Sequence, residues 1–338
     1  MKAIAAPRPQ PIDAPDALID LQLPAPVPGP RDLLVEVRAV SVNPVDTKIR
    51  AHAATPDGSP RVLGWDAAGV VRAVGAEASL FRPGDAVWYA GDLLRPGSNA
   101  ELQCVDERLV GRKPASLGWA EAAALPLTAI TAWELLFDRL QVARDGGEGE
   151  ALLIVGAAGG VGSVLVQLAR RLTKLRVIAT ASRPESAAWV RDLGAHDVID
   201  HRQPLDAELA TLGVAPRYIA SLTQTERHFA ALATAVAPQG RIALIDDPAT
   251  PPDFRLLKRK SVSLHWEFMY TRSMFQTADM AAQHTLLDSV ADLVDAGVLR
   301  STLTAVGGAI NAANLRAAHR QLESGTSIGK LVLEGFGD

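Results

Sequence analysis

Residues 150–184 read EALLIVGAAGGVGSVLVQLARRLTKLRVIATASRP, and this stretch decides the fold. It opens on the apolar run Ala151–Val155, short enough for a strand buried on both faces. Glycines follow at Gly156, Gly159, Gly160 and Gly162. Val161, Val164, Leu165, Leu168, Ala169 and Leu172 then recur at helical spacing and give one apolar face. A second strand is expected over residues 176–181. Strand, glycine-rich turn, helix and strand together predict the first half of a dinucleotide-binding βαβ unit.

A phosphate needs free backbone N–H groups, and a helix N-terminus offers several, with the helix dipole adding partial positive charge. Side chains would hold a pyrophosphate away, so glycine serves where the backbone must come close. Ala158, Gly159, Gly160, Val161 and Gly162 are therefore the candidate phosphate cradle. The spacing is G-x-x-G-G-x-G rather than G-x-G-x-x-G, and a plain tight connection is the alternative reading. An NAD enzyme usually carries an acid about 20 residues beyond the glycines to bind the ribose 2′-hydroxyl. This chain has Ala181-Ser182-Arg183 there. A hydroxyl and a guanidinium suit a 2′-phosphate that a carboxylate would repel, so the expected cofactor is NADPH.

With 338 residues the chain is long enough for two domains. Charged residues make up 21% and the net charge is −4, which gives no basis for a nucleic-acid partner or for an acidic membrane surface. Cys104 is the only cysteine, excluding a disulfide framework and a cysteine-based structural zinc site. MKAIAAPRPQ lacks the apolar core of a signal peptide, and the apolar run at 120–137 is broken by Glu121, Pro126 and Glu134. That run reads as a buried helix, and the protein is expected in the cytoplasm.

Short strands at 33–40, 69–74 and 86–89 lie between turn signals such as Pro83-Gly84-Asp85, the texture of a small β domain. A helical stretch is expected over 117–140. Beyond Arg183, helices at 185–193 and 225–236 alternate with strands at 197–201, 217–222, 241–246 and 261–268. This α/β alternation implies a doubly wound parallel sheet with right-handed crossovers. A long amphipathic helix (278–296), a further helix (313–322) and a strand (330–334) complete the tail. The tail is expected to fold back on the first domain, because a lone helix and strand cannot bury a core.

Several ordered motifs carry a family resemblance: the segment from Val42-Asn43-Pro44 to Arg50, Gly64-Trp65-Asp66, Arg82-Pro83-Gly84-Asp85, Leu127-Thr128-Ala129 and the glycine turn. Along its whole length the chain resembles the medium-chain dehydrogenases/reductases of the quinone oxidoreductase branch, related to zeta-crystallin. Residues 264–269 look closest to a subgroup often labelled zinc-type alcohol dehydrogenase-like. The resemblance implies a GroES-like catalytic domain from residues 1–124 and 267–338 around a Rossmann domain at 125–266. It also implies Asn43 and Thr128 near the nicotinamide, His201 beside the adenosine, and Leu244-Ile245 along the cofactor. Asn43 has the alternative of being only a turn residue before Pro44. A homodimer paired through the strand at 261–268 is expected from the same resemblance.

The zinc label meets an obstacle. Zinc-dependent relatives carry Cys in the first motif and Gly-His-Glu in the second, whereas this chain has Asn43-Pro44 and Gly64-Trp65-Asp66. Seven histidines are scattered without ligand-like spacing. Without a Lewis acid the expected chemistry is hydride delivery to an electrophilic small molecule, a quinone or an α,β-unsaturated carbonyl. Lys48 stands where many relatives have Tyr. It is read either as a group that binds a hydroxyl or gives a proton once burial lowers its pKa, or as a solvated charge. Tyr89 faces the cleft in one reading and is a rim residue in the other. The competing functions are an enoyl-thioester reductase, with Arg255, Lys258, Arg259 and Lys260 holding the diphosphate, a zinc-type alcohol dehydrogenase, and a non-catalytic NADPH-binding protein.

Overall fold

The computed structural model describes residues 1–337 apart from 53 and 56. The chain forms two units, Met1–Ile130 with Tyr270–Asp338, and Thr131–Met269. The first begins with β1 (Lys2–Ala6), β2 (Ile19–Gln22), β3 (Asp32–Ser41), α1 (Pro44–His52), β4 (Arg61–Val62), β5 (Ala67–Val74), β6 (Ala86–Tyr89), β7 (Leu102–Asp106) and β8 (Val110–Arg112). The ten residues of β3 alternate between inward apolar and outward positions, and the strand pairs antiparallel with both β5 and β7. Helix α1 was not anticipated from periodicity. It is set locally: Pro44 occupies its first position, and the N–H of Asn43 donates to Asp46 Oδ2 at 2.6 Å, half of a capping box.

The stretch expected as one helix over 117–140 is broken. It comprises α2 (Trp119–Ala123), α3 (Pro126–Trp133) and a π-helical segment, Glu134–Arg139, because Pro126 has no N–H to continue the ladder. Trp119–Arg139 is long and apolar enough to cross a membrane, but 83% of its most apolar window is buried inside the protein, as in a core segment.

The second unit holds β9 (Ala151–Val155), α4 (Gly160–Leu172), β10 (Arg176–Thr180), α5 (Pro184–Asp192), β11 (Asp197–Ile199), α6 (Leu205–Thr211), β12 (Tyr218–Ser221), α7 (Thr225–Ala235), β13 (Arg241–Leu244) and β14 (Ser263–Trp266). Its six strands are parallel, in the order β11-β10-β9-β12-β13-β14. Order reverses at β9, so a crevice opens beyond the carboxyl ends of β9 and β12, where doubly wound sheets bind their ligands. The apolar face of β9 packs with Ile178, Ile219, Leu232 and Leu244 in one core. The sequence pattern did not signal α6, nor the 3₁₀ helix Phe254–Lys260 that precedes β14.

The chain then returns to the first unit as α8 (Thr271–Phe275), α9 (Ala282–Asp295), β15 (Leu303–Val306), α10 (Ala312–Glu323) and β16 (Lys330–Glu334). β16 pairs antiparallel with β3, Val332 opposite Ser41, and β15 extends the sheet in parallel. This is the return expected of the tail.

Both boundaries lie later than the sequence reading placed them. The first falls inside α3, between Ile130 and Thr131, rather than at 124/125. The N–H of Leu127 donates to buried Asp66 Oδ1 at 3.0 Å and ties the start of α3 to the first unit. The second falls after Met269 rather than at 266/267. There Arg139 Nε donates to the buried Glu267 carboxylate at 2.8 Å and keeps that segment in the second unit.

Candidate functional site

In the second unit, β9 delivers the chain to Gly156, whose φ of +81° is the left-handed region that favours glycine. A Cβ there would lie 2.8 Å from Thr223 Cγ2, and one on Gly162 would lie 2.6 Å from the Ala157 backbone. Both positions therefore require glycine. Gly159 caps α4 without a side-chain hydrogen bond, and Ala158, Gly159, Gly160 and Val161 remain partly exposed above the buried α4. Backbone N–H groups at an uncapped helix start, over a floor no side chain can enter, fit a dinucleotide pyrophosphate. Two supports escaped the sequence reading. Thr180 Oγ1 accepts from Gly156 N at 3.1 Å, and Ser163 Oγ bonds both Ala158 O and Trp189 Nε1.

At the end of β10, Ser182 is half-buried and Arg183 is exposed at the cap of α5. His201 is also partly buried. Burial pulls its pKa down, Asp200 opposes, and the guanidinium groups of Arg227, Arg202 and Arg183 push it down further. Three arginines thus converge electrostatically on His201, whose ring lies 6.4 Å from that of His228. Arg202 spends part of its charge on Asp200. Arg227, in the first turn of α7, was missed; nothing in the pattern of α7 marked it. Leu244 is a correction. Its side chain is buried in the sheet core, so only its backbone and the partly exposed Ile245 can meet a ligand.

The first unit holds a buried polar cluster. Lys330 Nζ donates to Asn43 Oδ1 at 2.5 Å, to Val42 O at 2.9 Å, and pairs with Asp66 Oδ2 at 3.2 Å. Asn43 Nδ2 donates to the same Asp66 oxygen and to Ser41 O. Burial raises the pKa of Asp66 and lowers that of Lys330, and their mutual attraction opposes both shifts. Burial likewise pushes Asp46 up to about 7, against the Asn43 N–H and the Lys330 charge. Tyr270 keeps its proton strongly, through burial first and then the carboxylates of Asp46, Asp66 and Asp92. The alternation of β16 carried a signal for this cluster. Lys330 and Val332 share its inward face, so a lysine was due in the core.

This geometry revises three expected roles. Asn43 has both amide hydrogens committed and its oxygen held by Lys330, so it acts as a fixed strut more than as a free contact for a nicotinamide. Lys48 lies on the exposed face of α1, without the burial that its proton-donor reading required. Tyr89 lies neither on a cleft nor on a rim. It is 1% exposed, and burial, followed by Cys104, raises its pKa, which makes it a poor proton donor. Thr128 is buried and donates its hydroxyl to Leu125 O at 2.9 Å.

The donor set does not fit a catalytic zinc. Trp65 is buried with its Nε1 donating to Asp92 O at 3.1 Å, and Asp66 is engaged by Lys330, Asn43 and Leu127. Among the described residues no group of three or more His, Cys, Asp or Glu could hold a metal ion.

A GroES-like unit of strands around a buried polar cluster, joined in sequence to a parallel sheet with a phosphate cradle, defines an NAD(P)H-dependent oxidoreductase. The chain belongs to the medium-chain dehydrogenase/reductase superfamily. Residues 29–132 match the alcohol dehydrogenase GroES-like domain, and residues 193–333 the zinc-binding dehydrogenase family. The chain is 39% identical to a zinc-type alcohol dehydrogenase-like protein of Staphylococcus aureus (strain COL), over 91% of this chain and 92% of that one. It is 30% identical to a mitochondrial NAD(P)H oxidoreductase of Danio rerio, over 90% of this chain and 84% of that one. A crystal structure described as a putative zinc-dependent alcohol dehydrogenase protein from Rhizobium etli CFN 42 superimposes with a TM-score of 0.96. It shares 57% identity, over 100% of this chain and 99% of that one.

Proposed function

We propose that this protein is a zinc-independent, NADPH-dependent reductase of a quinone or an α,β-unsaturated carbonyl. The observation that carries the reading is the state of Asp66. Its carboxylate is spent on Lys330, Asn43 and Leu127, beside an indole rather than an imidazole. A metal-assisted alcohol oxidation needs a Lewis acid on the alcohol oxygen, and these donors do not build a site for one. A metal-free one needs a general base, and neither exposed Lys48 nor buried Tyr89 is placed as that base. An electron-poor acceptor needs no such help. NADPH, when bound, would supply a hydride, so that the acceptor gains one hydrogen with its electron pair and a proton from solvent, giving the reduced product and NADP⁺. The chain's own residues bind the pyrophosphate at Ala158–Val161 and the 2′-phosphate at Ser182 and Arg183. Preference for NADPH is supported by the cationic surroundings of His201, where Arg183 and Arg227 stand with no acid at the end of β10.

The enoyl-thioester reading loses ground in the same structure. Arg255 is paired with Asp253, and Lys260 Nζ donates to carbonyls at the end of α7, including Val236 O at 2.8 Å. Half of the expected basic groove is thereby occupied.

The deciding measurement is NADPH oxidation with a panel of quinones, enones, enoyl thioesters and, in reverse, simple alcohols, before and after prolonged chelation. Turnover of quinones or enones that survives chelation is the expected result. Alcohol oxidation that vanishes with chelation and returns with zinc would overturn the proposal, as would the absence of turnover on every acceptor.

A further inference from the structure

Within the first unit a cavity of about 650 Å³ opens between the chain before β3, the segment around β4 and the 94–104 stretch. Its volume falls in the range of about 300–1,000 Å³ typical of small-molecule pockets. It shares no lining residue with the Asn43–Asp66–Lys330 cluster, nor with Thr128 or Tyr89. Leu23, Pro26, Val62, Pro96 and Leu102 give it apolar walls, and at its mouth Val27 and Leu94 are 88% and 66% exposed. Apolar side chains so exposed around a concavity mark a recognition surface more than a packing defect.

Two polar groups of this wall differ in what they can offer a ligand. Gln103 is 4% exposed; its Nε2 donates to Pro96 O at 3.0 Å, yet its buried Oε1 meets no donor. That oxygen is closed off from the space of the cavity, so Gln103 is part of the wall and offers a ligand no acceptor. Arg61, on β4, donates to Leu93 O at 2.6 Å and lies over the Trp65 ring. Among the described residues no carboxylate pairs with it, in contrast to neighbouring Arg95, which forks onto Asp32.

We infer that this cavity is a second small-molecule site that takes an amphipathic acid. The ligand has an apolar body and an anionic group for Arg61. Such a molecule gives Arg61 the counter-charge it lacks, and the apolar walls exclude water from that charge pair and strengthen it. The site is separate from the hydride chemistry and does not depend on which acceptor the enzyme reduces.

Cys104, the only cysteine of the chain, lines this cavity and supplies a site-specific reporter. Burial and then the Asp32 carboxylate push its thiol up to about 11, so modification is followed with a fast methanethiosulfonate reagent at about pH 9. The probe is 8-anilinonaphthalene-1-sulfonate, which has an aromatic body, one N–H and one anion; saturating NADPH keeps it out of the cofactor cradle. The expected result is at least about tenfold slower modification of Cys104, with N-phenyl-1-naphthylamine, the same body without the sulfonate, protecting less. Arg61→Gln is expected to bring the two probes together. An unchanged Cys104 rate while probe fluorescence reports binding would overturn the site. Equal protection by the neutral probe in the unsubstituted protein would overturn the acidic ligand. Both readings use the natural chain and stand even if a variant fails to fold.

Discussion

Lys330 Nζ and Asn43 Oδ1 meet at 2.5 Å although 287 residues of chain separate them. Through this contact the last strand of the chain fastens the start of α1, because Asn43 is the residue that precedes Pro44. The same ammonium pairs with Asp66, so two motifs near the start of the chain share one buried cation from the tail strand.

Replacing Lys330 with Met leaves the Asp66 carboxylate buried without its counter-charge. Breaking such a pair from one side costs about 3–5 kcal/mol, far more than the net worth of the intact pair. Urea unfolding of Lys330→Met is expected to show a loss of that order at neutral pH, and Lys330→Arg a smaller one. A loss below about 1 kcal/mol would show that the cluster relaxes or is hydrated.

His319 gives a pH signature. It is buried in α10, where Arg50 Nη1 donates to its Nδ1 at 3.1 Å, and burial, then Arg50, lowers its pKa to about 3. An unfolded histidine titrates near 6.5, so between about 6.5 and 3 the unfolded chain binds the extra proton and stability falls with falling pH. Above that window the group has no effect. His319→Asn keeps an acceptor for Arg50 and removes the titration. Its stability, followed by thermal unfolding from pH 7 to pH 4, is expected to fall less steeply than that of the natural chain. Parallel profiles would refute the assignment.

Arg183→Ala tests the cofactor. Removing one charge-assisted contact of about 1.5–3 kcal/mol is expected to weaken NADPH binding about tenfold or more while leaving NADH nearly unchanged. Because Arg183 is exposed, the lower end of that range is the better guide. Fluorescence titration with both cofactors measures the ratio, and equal affinities in the unsubstituted protein would remove the basis for an NADPH enzyme.

The strand β14 leaves an open sheet edge, with Trp266 49% and Phe268 47% exposed on or just beyond it. An unpaired edge carrying aromatic side chains is an aggregation hazard unless it is covered. A homodimer joined through residues 263–266 would cover it, and sedimentation at micromolar concentration is expected to give twice the chain mass. Trp266→Lys should shift that equilibrium toward monomer. A monomer in the unsubstituted protein would end this reading.

The sequence by itself determined the βαβ core and the two-unit plan. Residues 151–181 state their structure locally, since an apolar run, a set of glycines and a 3.6-residue period each follow from short-range sterics and burial. The tail strand 330–334 was legible for the same reason, and its return to the first unit because a lone helix and strand cannot bury a core. Local pattern is silent about which polar groups meet. Lys330, Asn43 and Asp66 are adjacent only because β16 pairs with β3, and β3 with β5. From the sequence Tyr89 was open between a cleft and a rim position, and only the packing of β6 between β5 and β8 buries it. Lys48 and Arg50 sit two residues apart on one short helix, yet one is exposed and the other buried against His319. Burial and pairing are properties of the whole chain, and through them the tertiary structure, not the motif, decided which ionisable groups carry charge.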